Sequence, residues 1–301
     1  MGVAIDGSDA WWPAETSPAV LPAFSPYQTA PGQYIEVFNR GATPFDYSIT
    51  SSAPWVSVTP AAGRVTDQVR ADVRVDWSRA PKGTTEVPIT VTGPSGATVT
   101  VTAVAEKPDV RAKGFVEAGG YVAIEAAHYT RAVDAAGAGW KVIPGIGRTG
   151  DGVIPWPVTA ASRIPDGGGA RLEYTFTLTG TLTGTVTGGG PVKVSAYLSP
   201  RNNVLPGEGL RYAVSVDDGA PQVVNVTTAT GADDTTMNAQ WARNTSDNAN
   251  VTTTTHTISG PGVHTLKFWM VDPTVVVQRF VVDTGGVIPS YLGPPESHHV
   301  R

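Results

Sequence analysis

The sequence predicts an all-β chain built as two β-sandwich domains, an immunoglobulin-like one followed by a jelly-roll one. Three observations carry this expectation. Apolar and polar residues alternate over short runs, as in Ala71-Asp72-Val73-Arg74-Val75 and Arg171-Leu172-Glu173-Tyr174-Thr175-Phe176, which is the period of half-buried strands. Glycine (34) and proline (25) punctuate those runs at turn spacing, and stretches that favour helix are nearly absent. A length of 301 residues suits two domains that each bury a core.

Residues 1–32 hold Trp11, Trp12, Phe24 and Tyr27 among five prolines. Too aromatic for a free tail and too proline-rich for a helix, they read as a connector that packs on a neighbouring surface. Residues 33–106 carry strand patterns at 34–38, 45–49, 55–58, 71–75, 87–91 and 97–101, separated by Asn39-Arg40-Gly41, Pro60-Ala61-Ala62-Gly63 and Gly93-Pro94-Ser95-Gly96. That spacing predicts the immunoglobulin-like sandwich. Charge and proline in Glu106-Lys107-Pro108-Asp109 interrupt the alternation, so 107–113 reads as a linker. Residues 114–288 carry strand patterns at 121–126, 171–178, 192–198, 210–216, 222–226, 263–271 and 279–282, consistent with antiparallel strands that have one wet face and close as a jelly roll. The threonine-glycine stutter at 177–190 reads as an extended hairpin loop, and 289–301 as a C-terminal tail.

Several function classes fall on composition. The net charge of -5 comes with scattered lysines and arginines, so no nucleic-acid partner is expected. No apolar run approaches the ~20 residues that span a bilayer, so no membrane partner is expected and the chain should be soluble. Cysteine is absent, which removes disulfides, thiolate metal sites and cysteine nucleophiles. The first residues lack the basic and apolar regions of a signal peptide. The histidines at 128, 256, 264, 298 and 299 form no helical metal pair, and neither a phosphate loop nor a Gly-x-Ser-x-Gly elbow occurs. Carboxylates at 151, 166, 217, 218, 233 and 234 are plentiful, but pairs beside glycine, as in Asp217-Asp218-Gly219, are turn formers rather than the flanking acids of a glycosidase.

Sugar recognition needs aromatic faces for pyranose C–H surfaces and planar polar groups for hydroxyls. Trp140, Trp156 and Trp241 are the loop candidates, and Arg148, Arg201 and Arg243 are the candidates to clamp a uronate carboxylate through paired N–H donors. Each has a competing reading as a rim tryptophan covering the core or a solvated loop arginine. Trp55 and Trp269 sit inside strand patterns and are expected in the core.

Three segments of the last third, 209–218 (Gly-Leu-Arg-Tyr-Ala-Val-Ser-Val-Asp-Asp), 264–273 (His-Thr-Leu-Lys-Phe-Trp-Met-Val-Asp-Pro) and 291–297 (Tyr-Leu-Gly-Pro-Pro-Glu-Ser), occur in an order that resembles the C-terminal region of glycoside hydrolase family 115, the xylan alpha-1,2-glucuronidases. Ile143-Pro144-Gly145-Ile146-Gly147-Arg148-Thr149, Tyr34 to Gly41, and Val75-Asp76-Trp77 with Ala80-Pro81 extend the resemblance over nearly the whole chain. The second region is also similar to the galactose-binding-like sandwich of carbohydrate-binding module families 6 and 35. The resemblance implies a fragment of a larger enzyme whose catalytic carboxylates lie in upstream domains, so the fragment alone should be inactive. It implies a non-catalytic accessory region in xylan degradation that supports the catalytic domains or subunit contacts and touches polysaccharide; the alternative is an autonomous carbohydrate-binding module for xylan or uronate-bearing sugars. The implied partners are the catalytic domains of the parent enzyme, xylan or glucuronoxylan, and a second copy of the chain. The implied address of the parent, bacterial and secreted, is extracellular or periplasmic. No cofactor is required. The one metal the resemblance offers is a structural calcium, because such modules open on an Ile-Glu-Ala-Glu type strand; here Ile124-Glu125-Ala126-Ala127 lacks the second acid, leaving Glu125 and Asp283 as the candidate ligands.

Overall fold

The computed structural model describes residues 1–180, 189–204, 209–228 and 234–301. Most of the threonine-glycine stutter, together with Asp233, lies outside the described residues. The chain divides into two compact units, Met1–Asp109 and Val110–Arg301.

The first unit is a two-sheet sandwich of β1 (Gly2–Ile5), β2 (Trp11–Trp12), β3 (Ala19–Val20), β4 (Gln33–Phe38), β5 (Phe45–Ser51), β6 (Val56–Thr59), β7 (Ala62–Val65), β8 (Gln68–Val75), β9 (Gly83–Thr92) and β10 (Thr98–Lys107). One sheet has the order β2-β1-β4-β8-β6, the other β3-β10-β9-β5-β7. Alternation explains the packing: in β4, Ile35 and Val37 face inward while Tyr34, Glu36 and Phe38 stay half-buried on the other face. With Val73, Ile89, Val91 and Val101 they form a core closed to solvent.

The first 32 residues do more than connect. β1 pairs antiparallel with β4 and β2 with β1, while β3 runs parallel to β10. Val3, Ile5, Leu21 and Phe24 are buried in the same core. Proline keeps β2 and β3 short without excluding them, because both are edge strands whose outer backbone needs no partner.

The second unit contains β11 (Gly114–Val116), β12 (Tyr121–Glu125), β13 (Arg131–Val133), β14 (Gly139–Ile143), β15 (Gly152–Trp156), β16 (Arg171–Leu178), β17 (Gly190–Leu198), β18 (Arg211–Val216), β19 (Gln222–Asn225), α1 (Asp234–Asp247), β20 (Asn250–Ile258), β21 (Gly262–Met270), β22 (Val277–Asp283) and β23 (His299–Val300). Among the described residues, one sheet runs β19-β18-β21-β16-β11-β23, with β13 also on β16. The other runs β14-β15-β22-β17-β20, with β12 also on β22. The two inner faces meet in an aromatic core in which Phe280 lies 5.0 Å from Tyr174 and 5.5 Å from Phe268, ring centre to ring centre. The buried Tyr174 hydroxyl donates to the Ala126 carbonyl at 2.8 Å, so its burial leaves no donor unpaired.

β11 runs parallel to β16, and Gly114 makes the approach possible: its φ is +70° and a Cβ there would fall 2.1 Å from the Thr175 carbonyl oxygen. Just beyond, Glu117 is buried and ties three segments together. Its Oε2 accepts from the Thr179 N–H (2.7 Å), the Thr179 hydroxyl (3.0 Å) and the Gly180 N–H (3.3 Å), and its Oε1 accepts from the Thr284 hydroxyl.

Residues 289–301 are held rather than free. Arg279 donates to the carbonyls of Leu292 and Pro294, the Glu125 N–H donates to Glu296 Oε1 at 2.8 Å, and the Ala123 N–H donates to the Ser297 hydroxyl at 3.0 Å. The segment then ends in β23, antiparallel to β11.

β20 has an unusual inner face. Asn250, Thr252, Thr254, His256 and Ile258 point inward and are buried, so four of five inward positions are polar. Thr252 bonds to the Tyr212 hydroxyl at 2.5 Å, and Thr254 to His256 Nε2 at 2.8 Å. Burial pushes the Tyr212 phenol up to about 12 and holds His256 below its ordinary value.

Candidate functional site

Four segments of the second unit converge on a cleft of ≈ 290 Å³. This is near the lower end of the roughly 300–1,000 Å³ typical of small-ligand sites. After β17 the chain presents Arg201, Asn202 and Asn203; after β19 it presents Val226 and Thr227; α1 contributes Asn238 and Trp241; and Asn250 opens β20.

Local rules place each group. Asn225 Oδ1 accepts from the N–H groups of Thr227 (3.0 Å) and Thr228 (3.3 Å), an Asx turn that bends the chain as it leaves β19. Asn238 and Trp241 are three residues apart on α1 and so share a face. The helix is anchored by the buried Asn244, whose side-chain oxygen accepts from Gln240 at 2.8 Å and whose carbonyl accepts from the Ala249 N–H at 3.0 Å. Asn248, with φ of 51°, turns the chain out of the helix into β20. The Arg201 guanidinium donates through Nη1 to the Thr274 carbonyl at 3.1 Å. An indole beside four carboxamides, a hydroxyl and one guanidinium can offer an apolar face to a sugar ring and planar donors and acceptors to its hydroxyls.

Of the six residues singled out for sugar contact, the structure brings Arg201 and Trp241 together in this cleft. Trp241 lies on a helix where the composition pointed to a loop. Arg243 is exposed on the same helix but outside the cleft lining. Trp140 lies on β14, packs on Phe268 at 5.8 Å and donates its indole N–H to the Val133 carbonyl at 3.3 Å, so it serves the core. Trp156 ends β15 and is 47% exposed, with the Lys141 ammonium 4.3 Å from its ring centre. Arg148 is a strut: Nε donates to the Asp247 carbonyl at 2.7 Å, Nη1 to the Tyr291 carbonyl, and the guanidinium stacks over the Tyr291 ring at 4.8 Å. The asparagines at 202, 203, 238 and 250 carry no motif, although the richness of 202–250 in asparagine was a visible signal.

The two candidate calcium ligands do not share a site. In the β12–β22 ladder Glu125 faces Arg279 and Asp283 faces Tyr121, four positions apart, which at about 3.3 Å per residue separates them by about 13 Å. Glu125 Oε1 accepts from the Thr149 hydroxyl at 2.8 Å and lies 3.5 Å from the Arg279 guanidinium. Asp283 Oδ1 accepts from the Gly285 N–H at 2.8 Å. Calcium needs about six oxygen ligands around one point, and these carboxylates instead serve an ion pair and a turn.

The acidic pair at 217–218 is a turn. Asp217, with φ of 50°, accepts from the Thr265 N–H at 2.8 Å and contacts His264 Nδ1 at 2.8 Å. Asp272 is buried; desolvation opposes its ionisation, but bonds from Arg211 and the Ser162 hydroxyl hold its carboxyl below the usual carboxylate range. Asp217 and Asp218 line a second cleft of ≈ 250 Å³ together with Asp166, Lys267 and Trp269, whereas Asp272 is closed into its ion pair with Arg211.

Fold and site together define a β-sandwich protein with a polar, aromatic cleft on its second unit. Residues 114–296, more than half of the chain, match the glycosyl hydrolase family 115 C-terminal domain, and the chain belongs to that family. Residues 15–105 match the viral BACON domain. Among solved structures, a family GH115 4-O-methyl-alpha-glucuronidase with specificity for decorated arabinogalactans is 20% identical over 51% of this chain and 17% of its own, with a TM-score of 0.34. A family 6 carbohydrate-binding module is 15% identical over 55% of this chain and 95% of its own, with a TM-score of 0.30. A further family 6 module, from Clostridium stercorarium in complex with cellobiose, is 13% identical over 54% of this chain and 92% of its own, at 0.30. No curated protein matches. The matched domain is the C-terminal one of its family and not the catalytic one.

Proposed function

We propose that the chain is a non-catalytic accessory region of a xylan alpha-1,2-glucuronidase, which supports the catalytic domains of its parent enzyme and contacts polysaccharide through the cleft of the second unit. The observation that carries this reading is the convergence of Trp241 and Arg201 with four asparagines in one concavity. The engagement of Asp217 and Asp272 in turn and ion-pair roles supports the absence of hydrolytic chemistry in the fragment. On this reading the parent enzyme meets its polysaccharide in the extracellular or periplasmic space.

Calorimetric titration of the chain with xylan-derived oligosaccharides, beside a Trp241→Ala variant, tests the reading. Saturable heat that is lost in the variant supports polysaccharide contact through this cleft. Absence of heat with every sugar removes that contact and leaves support of the catalytic domains alone.

A further inference from the structure

Resting on the sugar-binding reading of the cleft, we propose that the site selects sugars bearing a carboxylate, and that Arg201 is the group that reads the acid. The chain carries 26 acidic against 21 basic side chains, yet among the described residues lining the cleft the only ionised one is Arg201. Its neighbours are carboxamides, a hydroxyl, a valine and an indole.

Four other arginines of this unit differ, while Arg163, like Arg201, donates to a backbone carbonyl, that of Ala136. Arg171 lies 2.7 Å from Glu173, Arg211 3.0 Å from Asp272, Arg279 3.5 Å from Glu125 and Arg148 3.7 Å from Asp247. Each of these guanidiniums has its counter-charge within the fold. Among the described residues that line the cleft with Arg201 none is a carboxylate, and its Nη1 donates to a neutral backbone carbonyl, that of Thr274. That bond fixes the planar group without neutralising it and engages one of its five N–H donors.

A ligand that settles into the cleft strips water from this cation. A neutral sugar offers no charge in return, so part of its binding is spent on desolvation, whereas a carboxylate restores the lost solvation through a charge-assisted, forked pair. Asn202 and Asn238 then face the ring hydroxyls and Trp241 the C–H surface. A sulfate ester would meet the same positive charge. The planar two-oxygen geometry of a carboxylate matches a guanidinium edge in a way that a tetrahedral sulfate does not, and the proposal commits to the carboxylate.

The test titrates the whole chain, at low and at moderate salt, with a neutral xylo-oligosaccharide, the same backbone carrying glucuronic acid, and a sulfated oligosaccharide. Wild type is expected to bind the uronic-acid ligand about tenfold or more tighter than the neutral one, the range of a hydrogen-bonded charge pair. Arg201→Gln should erase that difference chiefly by weakening the uronic-acid ligand, Arg201→Lys should restore only part of it, and added salt should narrow it. Melting curves of both variants establish that they are folded.

Equal affinity for neutral and acidic ligands overturns the inference while leaving sugar binding intact. So does a Gln variant that weakens both alike, which would make Arg201 a structural tie. Sulfated ligand binding as tightly as uronate overturns the commitment to carboxylate. Failure of every sugar to bind removes polysaccharide contact itself, and the inference with it.

Discussion

Replacing Glu117 by alanine should destabilise the second unit by about 4 kcal/mol, because two of the four groups it holds have nowhere else to turn. Its side chain is buried and accepts from the N–H groups of Thr179 and Gly180 and from the hydroxyls of Thr179 and Thr284. Hydroxyls can rotate towards other acceptors; backbone N–H groups cannot. A buried N–H left without a partner costs about 1–3 kcal/mol; that of Thr179 is buried and that of Gly180, bonded at 3.3 Å, only partly so, which puts the pair at about 2–5. For a unit of this size about 2–4 °C is lost per kcal/mol, so the midpoint should fall by roughly 8–16 °C. Glu117→Gln keeps a carbonyl for the two N–H groups and can turn its amide to the Thr284 hydroxyl, so it should recover more than half of the loss. Calorimetry of the second unit's transition reads both variants. An alanine variant that melts within about 2 °C of wild type, or a glutamine variant no better than alanine, would refute the reasoning.

Two further predictions concern ionisation. Burial keeps His256 below its ordinary pKa, so the unfolded chain takes up its proton first as pH falls; stability from this group is present above about pH 6.5 and is lost as pH drops from there towards the folded value. Melting temperatures across that window should decline more steeply for wild type than for His256→Gln, and equal slopes would count against it. Burial lifts Tyr212 to about 12 and Tyr174 well above the usual phenol value, so spectrophotometric titration should leave these two un-ionised until the fold opens at high pH. Reversible ionisation of all nine tyrosines in the folded chain would contradict that burial.

The sequence was most legible where one strand face is wet. β4, β8, β16 and β17 alternate apolar and polar residues, and each was visible in outline. β20 was missed because threonine occupies both of its faces, at 252 and 254 inward and at 253, 255 and 257 outward. Residues 1–32 misled for another reason: proline marks edge strands as readily as linkers, and only the pairing of β1 with β4 tells the two apart. α1 lacks a strong apolar stripe and ends on Asn248, so nothing in its composition separates it from a polar loop. At the cleft, residue type pointed to Arg201 and Trp241, but residue type also pointed to Arg148 and Trp140, which the fold uses as a strut and as packing. Convergence is a property of chain path: the cleft joins residues from 201 to 250 through turns whose directions no local pattern states.

The polar inner face of β20 bears on how that strand finds its place. Sliding it by one residue would turn Val251 and the threonines at 253, 255 and 257 inward, a row scarcely less apolar than the native one. Oil-and-water sorting therefore gives the strand almost no address. The address is written in matched donors and acceptors: after a slip, the Tyr212 hydroxyl would lose Thr252, and the bonded pair Thr254–His256 would turn outward together, away from its inner-face position. Since the same strand begins with Asn250 of the cleft, an error of one position would also misplace part of the cleft wall, and the buried bonds that align the strand thereby proofread that surface as well.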